Sequence, residues 1–259
     1  MKIYGLTDRG AVREINEDSI GILSLPSGMT VAVVCDGMGG AAGGRTASEL
    51  AVETFTESIR EELSRTERPD VKSIKRALEI SIEAANSAIF EHALIHTELQ
   101  GMGCTLNAVV CSPELSRLCF ANVGDSRLYT ITKKEIKQLS KDHSFVQFLV
   151  DTGEITPTEA ETHPQKNLIT RAVGIDPTVE ADIAYIKLPQ KKQVSFLLCS
   201  DGLHGLVSAE NIKEIVLGNE ALEGKVFSLI KAANDAGGHD NVSAILLQIN
   251  EKGGEVSAR

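Results

Sequence analysis

The chain has 259 residues, of which 42% are hydrophobic and 24% are charged, a composition typical of a globular protein with a well-buried core. Its formal net charge of −10 argues against a general nucleic-acid binder and against binding to anionic membranes. No apolar run reaches the roughly 18 residues that a transmembrane helix needs. The N-terminal residues lack the apolar stretch of a signal peptide, and the 5 cysteines form no Cys-x-x-Cys pair, so we expect a cytoplasmic protein with reduced core cysteines.

The first part of the chain has the pattern of short strands followed by two long helices. Apolar runs predict strands at 2–7, 19–25 and 30–35, and apolar residues at helical spacing predict helices at 46–64 and 70–99. A Gly- and Ala-rich loop separates the third strand from the first helix. Two long helices in succession favour an antiparallel pair that covers one face of a sheet.

The rest of the chain has strands, a long irregular segment, and then strands and helices again. The expected strands are 105–111, 117–123, 127–131, 136–139, 179–188, 194–199 and 242–249, and the expected helices are 209–217 and 222–236. Residues 142–176 have little strand pattern, which is typical of a functional flap. We therefore predict an α+β fold: two packed antiparallel sheets flanked on each side by a helix pair, a four-layer αββα sandwich. This single domain would span 1–250, followed by a flexible tail at 251–259.

Two of the predicted strands end in the dipeptide Asp-Gly, at Asp36-Gly37 and Asp201-Gly202, and Asp240 precedes the last strand. A carboxylate at the end of a buried strand is unfavourable unless something compensates its charge. Three such acids with no basic partner nearby indicate a shared divalent cation. Carboxylates suit Mg²⁺ or Mn²⁺, whereas the histidines lack the spacing of a zinc site. For any single Asp-Gly, the alternative interpretation is a β-turn.

An arginine and an acid pair lie close together near the N-terminus. Arg13 precedes Glu17 and Asp18, which lead into the second predicted strand. Arginine is suited to bidentate binding of a phosphate, and the two acids could bind a second cation directly or through water. The alternative is a salt-bridged turn without a catalytic role.

Taken together, these motifs resemble the metal-dependent protein serine/threonine phosphatases, the PPM family of type 2C, in its compact bacterial branch. The resemblance spans about Ile3 to Ile249 and is carried by Arg13-x-x-Asn16-Glu17-Asp18, Asp36-Gly37-Met38-Gly39-Gly40, Gly124-Asp125-Ser126-Arg127, Ser200-Asp201-Gly202 and Gly237-Gly238-x-Asp240-Asn241. It implies Mn²⁺- or Mg²⁺-dependent hydrolysis of phosphoserine and phosphothreonine in proteins. It also implies a role in signal transduction, as a monomer that opposes a bacterial-type Ser/Thr kinase.

The resemblance further implies a role for each matched residue. Arg13 would bind the substrate phosphate, and Asp36 would bridge two metal ions. The further ligands of these ions would be Glu17, Asp18, the backbone oxygen of Gly37, Asp201 and Asp240. Asp125, together with Asp201, would hold a third, weaker ion. A water that bridges the two core ions would attack phosphorus directly, so no covalent enzyme intermediate is needed.

Two other functions remain open beside a phosphoprotein phosphatase. One is an inactive or regulatory family member that acts as a binding module, and the other is a hydrolase of small phosphate esters. The general acid is also open. Eukaryotic members of the family often carry histidine after the first Asp-Gly, whereas this chain has Met38, which cannot donate a proton. A metal-bound water is the first candidate and His163 the second.

Overall fold

The structure is a computed structural model and describes residues 1–65, 69–112, 114, 116–188 and 193–249. The strands are β1 (Lys2–Asp8), β2 (Asp18–Ser24), β3 (Thr30–Met38), β4 (Gly103–Cys104), β5 (Leu106–Ser112), β6 (Arg117–Val123), β7 (Arg127–Ile131), β8 (Ile136–Gln138), β9 (Asp182–Lys187), β10 (Val194–Cys199) and β11 (Val242–Ile249). The α-helices are α1 (Ala41–Ser64), α2 (Val71–Ile95), α3 (Phe145–Asp151), α4 (Pro157–Glu161), α5 (Asp201–His204), α6 (Ala209–Leu217) and α7 (Leu222–Asp235). The predicted tail at 251–259 lies outside the described residues.

The strands form two antiparallel sheets. One sheet has five strands in the order β1-β11-β10-β7-β8. The other has six strands, ordered β2-β3-β5-β6-β9, with β4 paired to β3. The predicted α+β architecture with two antiparallel sheets is confirmed.

Apolar side chains fill three layers between these elements. Successive residues of a strand point to opposite faces, so a strand buried on both faces reads as one continuous apolar run. In β3, Val33 and Cys35 pack beneath α1 and α2, whereas Ala32 and Val34 face the other sheet. In β10, Leu197 packs toward the C-terminal helices, whereas Phe196 packs into the layer between the two sheets. The central strands of both sheets are thus buried on both faces.

Some boundaries differ from the predicted ones, for local reasons. Helix α1 begins at Ala41, within the predicted glycine-rich loop, and so includes Gly44. Position 44 requires glycine because a Cβ there would collide with Glu17 and Gly37. The second helix ends at Ile95, short of the predicted end, and the two-residue strand β4 was not predicted. None of the helices within the described ranges is both long and apolar enough to cross a membrane.

The segment between β8 and β9 carries α3, α4 and irregular backbone, as the loss of strand pattern predicts. Backbone bridges tie it to the body of the protein, between Cys104 and Val173, and within itself, between Ser144 and Ile169. The buried Asn86 of α2 accepts a hydrogen bond from the backbone N–H of Gly174, with an N···O distance of 2.7 Å. We call residues 142–176 the flap.

Candidate active site

The fold brings acids from separate segments of the chain to one end of the two sheets. Asp36 lies near the end of β3, and Asp201 begins α5, one residue after the end of β10 in the other sheet. Asp125 lies in the turn between β6 and β7, and Asp240 lies just before β11. These four acids line one cavity of about 460 Å³. The other residues that line it are Arg13, Glu14, Ile15, Glu17, Gly37, Met38, Gly39, Gly40, Thr105, Asn167, Ile169 and Asn241.

The carboxylates of this cluster lie in an environment that disfavours their negative charge. Burial, and then repulsion from Asp18 and Asp201, raises the pKa of Asp36 well above its usual range. Burial also raises the pKa of Asp18 to about 7, with Asp201 and Asp240 contributing repulsion. Burial, and then repulsion from Asp201 and Asp142, raises the pKa of Asp125 to about 7. Such a cluster is stabilised by a positive charge placed among the carboxylates.

Two buried carboxylate oxygens, Oε1 of Glu17 and Oδ1 of Asp18, have no hydrogen-bond partner within the described part of the chain. An unpaired buried acceptor is unfavourable and calls for a partner such as a cation or a water. The atoms of the acid cluster that could bind a metal are all oxygens, which are the ligands that Mg²⁺ and Mn²⁺ prefer. The residues present therefore fit a divalent cation.

Among the described residues, no three Asp, Glu, His or Cys side chains stand as a ready-made set of metal ligands. The side chain of Asp36 instead lies beside that of Asp201, and Asp240 accepts a hydrogen bond from Arg13. Binding of cations would thus require these side chains to exchange partners with the ions.

Arg13 is the basic side chain at the cavity. Its Nη2 donates to Oδ2 of Asp240 at 2.8 Å, and its Nη1 lies 4.0 Å from Oε2 of Glu17. The side chain is 47% exposed, so the guanidinium retains N–H groups that face solvent and are free to bind an incoming anion. The geometry thus places a phosphate-binding group at the edge of the acid cluster.

Residues 9–245 of the sequence match the family model for protein phosphatase 2C. The chain belongs to the protein phosphatase 2C family. It is 36% identical to the serine/threonine phosphatase stp of Listeria monocytogenes, over 97% of this chain and 98% of the relative. It is 35% identical to the protein phosphatase PhpP of Streptococcus pneumoniae, over 98% of this chain and 100% of the relative.

A solved structure with the same fold is the catalytic domain of the serine/threonine protein phosphatase PstP in complex with two manganese ions. It superposes with a TM-score of 0.81 and 33% identity, covering 96% of this chain and 98% of that chain. The family, the sandwich fold and the protein phosphatase activity that the motifs implied are thus confirmed.

In this phosphatase, the sequence-predicted ligands fall into two groups by position. Glu17, Asp36, Gly37, Asp125, Asp201 and Asp240 line the cavity itself. Asp18 is not among the residues that line it; 6% of its surface is exposed, and its Oδ2 accepts a hydrogen bond from Oγ of Ser200 at 2.7 Å. Its role as a ligand, directly or through water, stays a prediction.

Thr105, to which the sequence analysis assigned no role, supports the acid cluster. The backbone N–H of Asp36 donates to Oγ1 of Thr105 at 2.9 Å. The same hydroxyl lies 2.8 Å from Oγ of Ser126, beside Asp125. This pair of hydroxyls links the strand end that carries Asp36 to the turn that carries Asp125. The residues that these bonds join are 69 and 21 positions apart, so no local pattern in the sequence identifies them.

The histidines lie outside the cavity lining. His163 accepts a hydrogen bond from the backbone of Gln165 at 3.1 Å, within its own turn of the flap. His143 is buried and accepts a hydrogen bond from the backbone N–H of Gly124 at 3.1 Å. Among the described residues no imidazole lines the cavity.

Proposed function

We propose that this protein dephosphorylates phosphoserine and phosphothreonine residues of proteins at the cavity lined by Arg13 and the acid cluster. The observation that carries this proposal is the convergence of an exposed guanidinium and buried carboxylates on one cavity. The guanidinium suits the phosphate dianion, and the carboxylates suit the cations that this reaction needs. Residues 1–250 would act as one catalytic domain.

The residues that would hold two divalent cations are Glu17, Asp18, Asp36, Gly37, Asp201 and Asp240, with Asp36 shared between the ions. Asp125 and Asp201 would hold a third. When bound, such ions lower the pKa of water and offset the negative charge of a phosphoryl group. The all-oxygen donor set supports Mn²⁺ or Mg²⁺, and the PstP structure with two manganese ions supports the number of core ions.

The side chains of this protein contribute binding, orientation and charge. Arg13 would donate hydrogen bonds to the phosphoryl oxygens, held in place by its contact with Asp240. Met38 lines the cavity but cannot donate a proton, and no histidine lines it among the described residues. We infer that the leaving serine or threonine oxygen takes its proton from water within the cavity.

We further propose that the substrates are phosphoproteins produced by a bacterial-type Ser/Thr kinase, and that the phosphatase acts as a cytoplasmic monomer in signal transduction. The reaction requires such a kinase, because only prior phosphoryl transfer to a hydroxyl side chain produces these substrates. The named bacterial relatives support this setting.

The test measures hydrolysis of p-nitrophenyl phosphate and of a phosphothreonine peptide, with Mn²⁺, with Mg²⁺ and with EDTA. We expect activity only with a divalent cation, and loss of activity in Asp36→Asn. Asp70→Asn is the matched control, since Asp70 caps α2 far from the cavity and asparagine preserves an N-cap acceptor.

Activity that survives EDTA, or an Asp36→Asn variant as active as wild type, would contradict the metal-dependent mechanism. Efficient hydrolysis of small esters with no turnover of phosphopeptides would instead favour a hydrolase of small phosphate esters. Cation binding without hydrolysis of any substrate would favour an inactive binding module.

A further inference from the structure

Asn241 directly follows Asp240 and has its side chain buried, with 3% of its surface exposed. Its side-chain amide forms hydrogen bonds to the segment 9–17. We propose that Asn241 is a positioning residue that holds Arg13 and Glu17 at the cavity. This inference rests on the proposed phosphatase function, because that function gives Arg13 and Glu17 their roles.

The segment that carries Arg13 has no regular structure of its own. Residues 9–17 lie between the end of β1 and the start of β2 and are neither helix nor strand. An irregular segment lacks the ladder of backbone hydrogen bonds that fixes a strand, so its geometry depends on individual contacts. The contacts of Asn241 therefore help to fix the backbone that carries Arg13, whose guanidinium also bonds to Asp240.

Three hydrogen bonds connect Asn241 to this segment, on both sides of Arg13. Its Nδ2 donates to the carbonyl of Arg9 at 2.9 Å and to the carbonyl of Ile15 at 2.9 Å. Its Oδ1 accepts from the backbone N–H of Glu17 at 2.8 Å. One side chain thus fixes a point before Arg13, a point after it and the backbone of Glu17 itself.

Only an amide of this size provides this set of contacts. Asparagine offers two N–H donors and an acceptor, whereas aspartate of the same shape offers no donors. Aspartate would also add a negative charge beside Asp240 and the acid cluster. The structure thus explains why the position needs Asn rather than another small polar residue.

The segment has a second anchor that does not depend on Asn241. The backbone N–H groups of Ala11 and Val12 donate to the carbonyl of Gly238 at 2.9 and 3.2 Å. In an Asn241 variant this anchor remains, so the segment stays attached while Arg13 and Glu17 lose their orientation. The expected defect is in substrate binding more than in folding.

A double-mutant cycle with Arg13→Ala tests the proposal, using Mn²⁺ and a phosphothreonine peptide. We expect Asn241→Ala to raise KM at least about tenfold. An effect of this size is within the range found for residues that share one hydrogen-bond network. In the Arg13→Ala background the same change should raise KM much less. An equal loss of kcat/KM in both backgrounds would overturn the proposal, because it would indicate general destabilisation only.

Asn234→Ala is the matched control. Its Nδ2 donates to Oδ1 of Asp8 at 3.0 Å, at the base of the same segment but away from Arg13 and Glu17. We expect this variant to lose stability while keeping the wild-type KM. A KM increase equal to that of Asn241→Ala would contradict a specific role for Asn241. If Asn241→Ala does not fold, Asn241→Ser, which retains a hydroxyl, is measured instead and should show a smaller KM increase of the same coupled kind.

Trypsin provides a readout that does not depend on activity or metal. A segment held by Asn241 resists cleavage after Arg9 and Arg13, so Asn241→Ala should be cut there several-fold faster than wild type, followed by mass spectrometry. Unchanged cleavage would overturn the positioning role even if the enzyme is active. Faster cleavage in a protein that hydrolyses no phosphopeptide would support the role of Asn241 in orienting the segment and contradict the phosphatase proposal alone.

Discussion

Asp18 of β2 lies directly opposite Asp36 of β3 in the antiparallel pairing of these strands. The pairing of the backbones holds both carboxylates together in a buried site, where their charges repel. Ser200 donates a hydrogen bond to Oδ2 of Asp18. The other carboxylate oxygen of Asp18, Oδ1, has no hydrogen-bond partner in the described part of the chain. Burial of both carboxylates thus lowers the stability of the fold, and a cation would offset the repulsion between them.

The first prediction follows from the raised pKa of Asp18, about 7 against an ordinary value of 3.8. Between these values the native state binds more protons than the unfolded chain, so this group makes stability fall as the pH rises. In EDTA, we expect wild type to lose stability relative to Asp18→Asn from about pH 4 to 7, by at least about 1 kcal/mol. Thermal unfolding of both proteins across this pH range measures the difference.

Saturating Mn²⁺ provides the control for this prediction. The cation compensates the carboxylate charge, so wild type should regain stability in proportion to its occupancy, whereas Asp18→Asn should gain less. A difference between the two proteins that does not change with pH in EDTA would contradict the assignment of the shifted pKa.

The second prediction concerns Arg13 as the phosphate-binding residue. Arg13→Ala should mainly raise KM, because the lost hydrogen bonds to a charged group are worth about 1.5–3 kcal/mol, or roughly 10- to 150-fold in kcat/KM. Arg13→Lys should recover only part of this, since lysine lacks the bidentate geometry. Steady-state kinetics with a phosphopeptide measures both, and an unchanged KM in Arg13→Ala would remove this residue from the site.

The strands that carry the site were predictable because burial on both faces produces long apolar runs. The run that ends at Asp36 and the run that ends before Asp201 are of this kind, so their acids were also found. The start of α1 was not predictable from propensity. Gly44 disfavours helix in isolation, but its close approach to Glu17 requires a residue without a side chain.

Contacts between distant residues were the part that sequence could not supply. Asn241 contacts Arg9 and Glu17 across more than two hundred positions of the chain, as shown by sequence separations of 232 and 224. Such pairs follow from the pairing of β1 with β11, two strands that are far apart in the chain. The motifs identified which residues carry chemistry, and the pairing of strands determines which residues orient them.

The third prediction concerns the third ion. Asp125→Ala removes one carboxylate of the cluster and leaves Asp36, Asp201 and Asp240 in place. We expect reduced phosphatase activity while calorimetry with Mn²⁺ still detects the two core ions. Asp151→Ala, an exposed acid of α3 that pairs with Lys141, is the control. Full activity of Asp125→Ala would end the assignment of a third ion to this residue.

The last prediction concerns His143, which joins the flap to the turn that carries Asp125. Its Nδ1 accepts from the backbone N–H of Gly124 at 3.1 Å, and its carbonyl accepts from the backbone N–H of Thr170 at 2.8 Å. Burial, and then the nearby charge of Arg171, lowers the pKa of this imidazole below its ordinary 6.5. The neutral form is therefore the one that maintains the contact with Gly124.

As the pH falls below about 6.5, the unfolded chain takes up a proton that native His143 resists, so stability is lost. His143→Asn can still accept from Gly124 but does not titrate, and we expect it to lose less stability than wild type between pH 7 and 5. His143→Ala leaves a buried N–H unpaired and should be destabilised by about 1–3 kcal/mol at every pH. Thermal unfolding of the three proteins measures this, and parallel pH profiles for wild type and His143→Asn would show that another group causes the acid sensitivity.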